Sequence, residues 1–354
     1  MSHFSYLAKK PSKAIFKYPF DDKVSVKMNN KLTLLKSQLS QICELIDDKN
    51  DVMYFDYPLH TNVGDLLIYL GTEQFFKDYD INVRLRRCIP TFDINEVKQL
   101  ITPKTTLLCH GGGNFGDLYP DQQKLREDLV VHFPKNRIIV LPQTAFFSKA
   151  ENLKASSDIF QAHPQCYLFA RDDMTKGIMS AFSNNVFLSP DMAHQLYGSL
   201  PTKTQEPNKN NTLYFLRKDI EASDIERNVQ ATLSAQDIVR DWEDVINFQD
   251  RVVLKLSNVL SVIGKKYQSK WIKDIVNTIW FNHSNRIINR MIKLFSSYDK
   301  VVSSRLHGHI FSCLLELPNE VCNNSYGKNF GYYEKWTYDV YFAKKYRLEN
   351  KESV

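Results

Sequence analysis

Leu32, Leu35, Leu39, Ile42 and Ile46 recur at helical spacing between Lys31 and Asp48, so this segment predicts an amphipathic helix. Beyond it the chain alternates. Short apolar runs at 52–55, 82–88, 105–110, 137–141, 166–170 and 185–188 predict strands. Stretches of helical period lie among them at 66–77, 94–100, 121–132, 150–161 and 172–182. Strand–helix alternation with short loops implies parallel pairing and an α/β sheet.

Residues 198–211 break the pattern with Pro201, Pro207 and a run of Asn and Lys, which predicts a linker. It separates a first unit, 1–197, from a second, 212–330. In the second unit strands are expected at 212–216, 299–303 and 319–322, helical material up to about 298, and a further helix at 306–316. Residues 1–30 read as a loose arm. The aromatic tail, 331–354, is expected to pack back on the first unit. The segment Arg217–Asn247 matches no pattern and reads as insertions in the second unit.

Length and composition narrow the class. A chain of 354 residues suggests about two domains. With 43% hydrophobic and 24% charged residues it has ordinary globular usage, which excludes a disordered tail or a disulfide-dependent miniprotein. A net charge of +6 is too weak to argue nucleic-acid binding, but it suits an anionic substrate or membrane surface. The six cysteines show no C-x-x-C spacing, and His60, His110, His194 and His283 are scattered, so no metal site is expected. The first residues lack the apolar core of a signal peptide, and no apolar run reaches about 18 residues. A cytoplasmic location is therefore expected.

Candidate chemistry gathers where predicted strands end. Leu107–Cys109 runs into His110, then Gly111, Gly112, Gly113, Asn114, Phe115, Gly116 and Asp117. Successive glycines let backbone N–H groups approach an anion closely. The loop Asn62-Val63-Gly64-Asp65 precedes a helix in the same manner. Val301–Val302 ends in Ser303, Ser304, Arg305, Leu306 and His307, where hydroxyls, a guanidinium fork and a helix start together suit an anion. Arg171 stands at another strand end, before Asp172 and Asp173. Gln143 follows a strand and could hydrogen-bond a sugar. Lys328 could add a cation, and Asp191 could be functional or structural. Each feature also has a plain structural reading as a helix cap, a turn or a surface ion pair.

Taken in order, HGGGNFGDLYP, FARDD, SPDMA, SSRLHGHIF and NNSYGKNFGYYEKW resemble the polysaccharide pyruvyl transferase family, in its bacterial exopolysaccharide branch. The resemblance covers about residues 50 to 337. It implies two Rossmann-like domains facing a cleft, as in B-type glycosyltransferases. It also implies transfer of pyruvate from phosphoenolpyruvate onto two sugar hydroxyls as a cyclic ketal, with release of phosphate and no cofactor. The family's donor-binding residues map to Arg171 and to Arg305, Leu306 and His307. The two arginines are then expected to meet at one anion site, joined by Ser303, Ser304 and Lys328. His307 is the expected general acid. Asn62, Gly64, Asp65, Gly111–Gly113, Asn114, Asp117 and Gln143 are the expected acceptor-side loops, with Asp65 and Asp117 as candidate bases.

Two other readings fit the same residues: a nucleotide-sugar glycosyltransferase of the same fold, and a non-catalytic carbohydrate-binding subunit. The stretch 265–295 carries five Lys and two Arg against one Asp. With Trp271, Ile272, Ile275, Ile279 and Trp280 taken as one apolar face, it predicts peripheral contact with an anionic membrane.

Overall fold

Twelve strands form two parallel sheets among the described residues. The computed structural model describes residues 31–201, 211–218, 222, 224–234, 237–323 and 327–347. The arm 1–30, most of the linker (202–210) and 348–354 lie outside them.

The first sheet comprises β1 (Val52–Phe55), β2 (Val83–Arg87), β3 (Thr106–Cys109), β4 (Gly112–Gly116), β5 (Arg137–Phe146), β6 (Cys166–Ala170) and β7 (Asn185–Leu188). Its order is β2-β1-β3-β5-β6-β7, all parallel, with β4 paired to the far half of β5. The second contains β8 (Thr212–Phe215), β9 (Ile238–Arg240), β10 (Lys300–Ser303), β11 (Asn319–Val321) and β12 (Ala343–Lys345), in the parallel order β12-β11-β10-β8-β9.

Residues 31–38 form α1 and Ser40–Cys43 α2, so the predicted first helix is shorter and interrupted. The others are α3 (Val63–Asp78), α4 (Ile94–Leu100), α5 (Pro120–His132), α6 (Ala150–Gln161), α7 (Asp173–Met179), α8 (Asp224–Ala231), α9 (Phe248–Lys266), α10 (Lys270–Ser296), α11 (Leu306–Leu314) and α12 (Lys328–Tyr332). The chain is thus a mixed, Rossmann-like α/β protein.

The central strands β1 and β3 are buried at every position, as strands covered on both faces must be. A continuous apolar cluster runs from Tyr54 and Leu67 through Met192 to Phe215, Trp280 and Phe311, so α3, α10 and α11 share one core. The approach of α3 to the turn after β7 is close: a Cβ on Gly71 would lie 2.2 Å from the Met192 carbonyl oxygen.

Three expectations change. The glycine run is not a turn into a helix. It kinks at His110–Gly111 and continues as β4, with Gly112 at φ +123° and Gly116 at φ +134°, values only glycine adopts easily. The tail donates from Trp336 Nε1–H to the Arg171 carbonyl at 2.6 Å and pairs Lys335 with Asp173. It also supplies β12 to the second sheet, which its short, charged sequence does not reveal.

Third, Trp271 and Trp280 do not share a face. Nine residues at about 100° each place them on opposite sides of α10. Trp280 is fully buried and donates to the Pro58 carbonyl at 2.5 Å, while Trp271 is exposed. Lys273, one of the five lysines of the stretch 265–295, is buried against Glu96 at 2.9 Å.

Candidate active site

The candidate residues stand where parallel strands end, the usual ligand side of such sheets. Arg171 follows β6 and is 1% exposed. Its backbone N–H donates to the Gln143 carbonyl at 2.9 Å, and its Nη2 donates to Thr144 Oγ1 at 2.8 Å. Its Nη1 pairs with Asp191, which follows β7 and is fully buried.

Asp191 joins the two sheets. Its Oδ1 accepts from the Ala193 N–H at 2.9 Å, and Tyr332 OH accepts its backbone N–H at 3.0 Å. Its Oδ2 meets both Arg171 and His307 Nε2, the latter at 3.3 Å. Burial pushes the Asp191 carboxyl up, but His307 and Arg171 together outweigh it and hold the group well below the ordinary range. Asp191 is therefore a carboxylate between two cationic partners whenever His307 is protonated.

His307 sits at the start of α11 against the start of α3. A Cβ built on Gly64 would lie 2.7 Å from His307 Nδ1. Asn62 caps α3 by accepting the Gly64 N–H at 3.0 Å, which fixes the glycine in place. Gly64→Ala is expected to keep the fold but push the imidazole off Asp191. An ångström of misplacement can cost about a hundredfold in rate. Steady-state turnover checks this, and an unchanged kcat would mean that the His307 position does not matter.

The glycine run meets cations from both sheets. A Cβ on Gly113 would lie 3.1 Å from Lys328 Nζ and 3.6 Å from Arg171 Nη2. Removal from water, then Arg171 and Arg217, pull the Lys328 ammonium down to about 8, while Asp172 and Asp65 oppose the shift. Asp65 is half-buried beside the same run, with Oδ1 3.5 Å from where a Gly112 Cβ would sit, and its Oδ2 lies 3.8 Å from His60 Nε2.

Other predicted residues are occupied in building the site. Gln143 donates to the His110 carbonyl and to Asn114 Oδ1, both at 2.8 Å, and accepts the Asn114 N–H at 3.1 Å. Asn114 also bonds Asp56 and Arg126. These two side chains lock the kinked glycine run to β5, leaving its backbone fixed before anything binds. Asp117 accepts from Ser148, Lys149 and Asn152 at the start of α6. Ser303 Oγ accepts the Arg305 N–H at 3.1 Å, and Ser304 Oγ accepts the Arg217 N–H at 2.9 Å, so both serines brace the strand end.

Arg305 forms a fork with Asp241, at 2.8 and 2.6 Å. Arg171 and Arg305 thus each hold an aspartate of their own. Side chains that reach Arg171 and its surroundings from beyond the linker include His307, through Asp191, Lys328, Tyr332 and Trp336.

The sequence reading passed over several participants. His110 is one of the scattered histidines. It is 2% exposed, its Nδ1 lies 2.5 Å from Tyr54 OH, and its Nε2 is buried with no hydrogen-bond partner among the described residues. Burial, then His60 and Arg126, bring its pKa down to about 3, so the ring is neutral near pH 7. Arg217 and Asp241 follow β8 and β9, so strand-end position was the signal that could have found them. Tyr332 lies inside the quoted closing motif.

These features define a Rossmann-like α/β protein with a cationic site at strand ends, built around an Arg–Asp–His relay. The chain belongs to the polysaccharide pyruvyl transferase family, whose model matches residues 62–326. It is 39% identical over 304 residues to "Putative pyruvyl transferase EpsO" of Bacillus subtilis (strain 168), covering 85% of this chain and 90% of that protein. It is 28% identical over 298 residues to "Pyruvyl transferase 1" of Schizosaccharomyces pombe, covering 80% and 69%. A solved structure of an uncharacterized Klebsiella pneumoniae protein matches in fold, with a TM-score of 0.54 at 19% identity, over 89% of this chain and 99% of that one.

Proposed function

We propose that the protein transfers pyruvate from phosphoenolpyruvate onto two hydroxyls of a sugar, in an exopolysaccharide or its lipid-linked precursor, forming a cyclic ketal and releasing phosphate. The observation that carries this reading is the relay of Arg171, Asp191 and His307, with Lys328 beside Arg171 at the glycine run. In this reading the two sheets are the halves of a B-type glycosyltransferase arrangement, with the donor between them and the acceptor against the first. The family membership supports pyruvyl transfer, and the name of the Bacillus subtilis relative EpsO supports a link to exopolysaccharide.

The chemistry follows from what the donor needs. Phosphoenolpyruvate carries a phosphate and a carboxylate, and guanidinium and ammonium groups suit both. Arg171, Arg217 and Arg305 follow strand ends, and Lys328 begins α12 beside Arg171. With Nε2 committed to Asp191, His307 Nδ1 is left to deliver a proton to the methylene carbon of the donor. The double bond's electron pair takes that proton, and the adjacent carbon becomes an oxocarbenium-like centre. Asp191 stabilises the imidazolium before the transfer and orients the ring.

A first sugar hydroxyl adds to the cationic carbon and loses its proton to a base, for which Asp65 is the candidate. Phosphate then leaves with the electrons of its C–O bond. A second hydroxyl adds to the same carbon, loses its proton to solvent or phosphate, and closes the ring. His110, neutral and holding its Nδ1 toward Tyr54, offers an Nε2–H to a bound oxygen.

Purified protein with phosphoenolpyruvate and a sugar acceptor should release phosphate and give an acceptor heavier by a pyruvate ketal in mass spectrometry. Release of a nucleoside diphosphate from a nucleotide sugar, with no turnover of phosphoenolpyruvate, would sink the reading in favour of a glycosyltransferase. Lys328 adds a pH test. Its depressed pKa of about 8 means the ammonium is present below that pH and lost above it. The KM for phosphoenolpyruvate should therefore rise as pH passes through about 8. Lys328→Arg, which keeps its charge, should remove that rise, and a wild-type KM flat from pH 7 to 9 would exclude Lys328 from donor binding.

A further inference from the structure

Helix α9 turns a row of apolar side chains outward. Its buried residues are Asp250, Ser257, Ser261 and Gly264, while Phe248, Val252, Leu256, Val259 and Val262 are 48% to 79% exposed. These five recur at steps of three and four residues, so they form one apolar stripe along about four turns. The inner face is polar for a visible reason. Asp250 pairs with Arg290 at 2.5 Å and His283 at 2.9 Å, both on α10. A Cβ on Gly264 would lie 3.1 Å from Lys273 Cγ, so the two helices also approach closely there. Ion pairs, close approach and the half-buried Val253 and Leu254 hold α9 in place, and the five side chains of the stripe are left outside. Single exposed apolar residues are normal, but a continuous stripe marks a surface that meets something.

The surrounding charges select what it meets. Arg251, Lys255, Lys265 and Lys266 are exposed on the same helix, and its single acid, Asp250, is buried. Tyr267 and Trp271, also exposed, follow at its end. A second copy of the chain would bring these cations against their own kind. Residues 1–30 hold six Lys and two Asp, so that segment carries the same sign. An anionic lipid leaflet complements both parts: its headgroups attract the cations, its acyl boundary takes the apolar stripe, and Trp and Tyr favour the interface. Among the described residues no helix is long and apolar enough to cross a membrane, so the contact would be along the surface.

We propose that α9 docks this protein on an anionic phospholipid bilayer, with the Phe248–Val262 stripe in the acyl boundary and the neighbouring Lys and Arg on the headgroups. This moves membrane contact from α10, whose Trp280 faces the core, to the helix beside it. It stands independently of the pyruvyl reading.

Co-sedimentation of the full-length protein with vesicles tests it. Binding should be at least tenfold tighter to phosphatidylcholine vesicles containing phosphatidylglycerol than to phosphatidylcholine alone, and should weaken as salt is raised. Val259→Glu with Val262→Glu should weaken binding at least tenfold with an unchanged melting temperature. Lys255→Glu, Lys265→Glu and Lys266→Glu together should abolish the preference for the anionic lipid. Failure of the wild-type protein to bind phosphatidylglycerol vesicles at low salt would overturn the proposal. So would a dimer that Val259→Glu with Val262→Glu dissociates, without vesicle binding, since a second copy would then be the occupant. Binding that appears only after deletion of residues 1–30 would identify the chain's own arm as the cover and overturn it as well.

Discussion

Replacing His307 with alanine is expected to lower turnover about a hundredfold or more, the usual scale for removing a general acid. The geometry behind this expectation is specific. His307 Nε2 lies 3.3 Å from an Asp191 oxygen that also pairs with Arg171, and its other nitrogen faces Gly64 at the start of α3. The side chain is 14% exposed, buried enough to shield a proton from bulk water yet open to a ligand. Phosphate release at saturating phosphoenolpyruvate isolates the chemical step, and the donor dissociation constant measured separately isolates binding. Turnover should fall much further than affinity. If His307→Ala loses donor binding but keeps its turnover at saturation, the histidine is a ligand contact and the acid must be sought elsewhere.

The sheet strands were legible where apolar runs were long enough to stand out. Thr106–Cys109 and Cys166–Ala170 are buried on both faces and read as continuous hydrophobic sequence. β4 was not legible, because Gly112–Gly116 carries one large apolar side chain and no β-branched residue. β9 and β12 are three residues long, β9 between two aspartates and β12 carrying Lys344 and Lys345, too short for a period to show. The strand-end motifs were legible as candidates, but which of them share a site depends on pairings far apart in sequence. Asp191 looked ambiguous because one carboxylate oxygen serves Arg171 and His307 at once, and nothing local announces that. Gln143 and Asn114 looked like ligand donors because buried amides carry the same groups whether they hold a sugar or a backbone. The outward stripe of α9 is invisible to periodicity alone: an amphipathic pattern gives the direction of the apolar face relative to the polar one, and only the fold decides which faces the core.

Asp191→Ala should be the most damaging single change, because it removes a charge on which two buried partners depend. Arg171 is 1% exposed and would be left without its carboxylate, and breaking a buried ion pair from one side typically destabilises by about 3–5 kcal/mol. Turnover should fall at least as far as in His307→Ala, since the imidazole loses the group that orients it. The two effects separate by pairing the mutations. If Asp191 acts on turnover through His307, adding Asp191→Ala to His307→Ala should lower turnover little further, while the loss of stability persists. Independent, multiplying losses of turnover would mean that Asp191 acts through Arg171 or the donor directly. The pH dependence has a definite sign. The folded carboxyl is held well below its ordinary value of 3.8, so its contribution to stability is complete above that pH and is lost as pH falls further. Urea unfolding of the wild type and of Asp191→Asn should therefore differ at pH 5 as clearly as at neutral pH, and converge only in acid below about 4. A difference that is already gone at pH 5 would show that Asp191 is not the buried carboxylate joining Arg171 to His307.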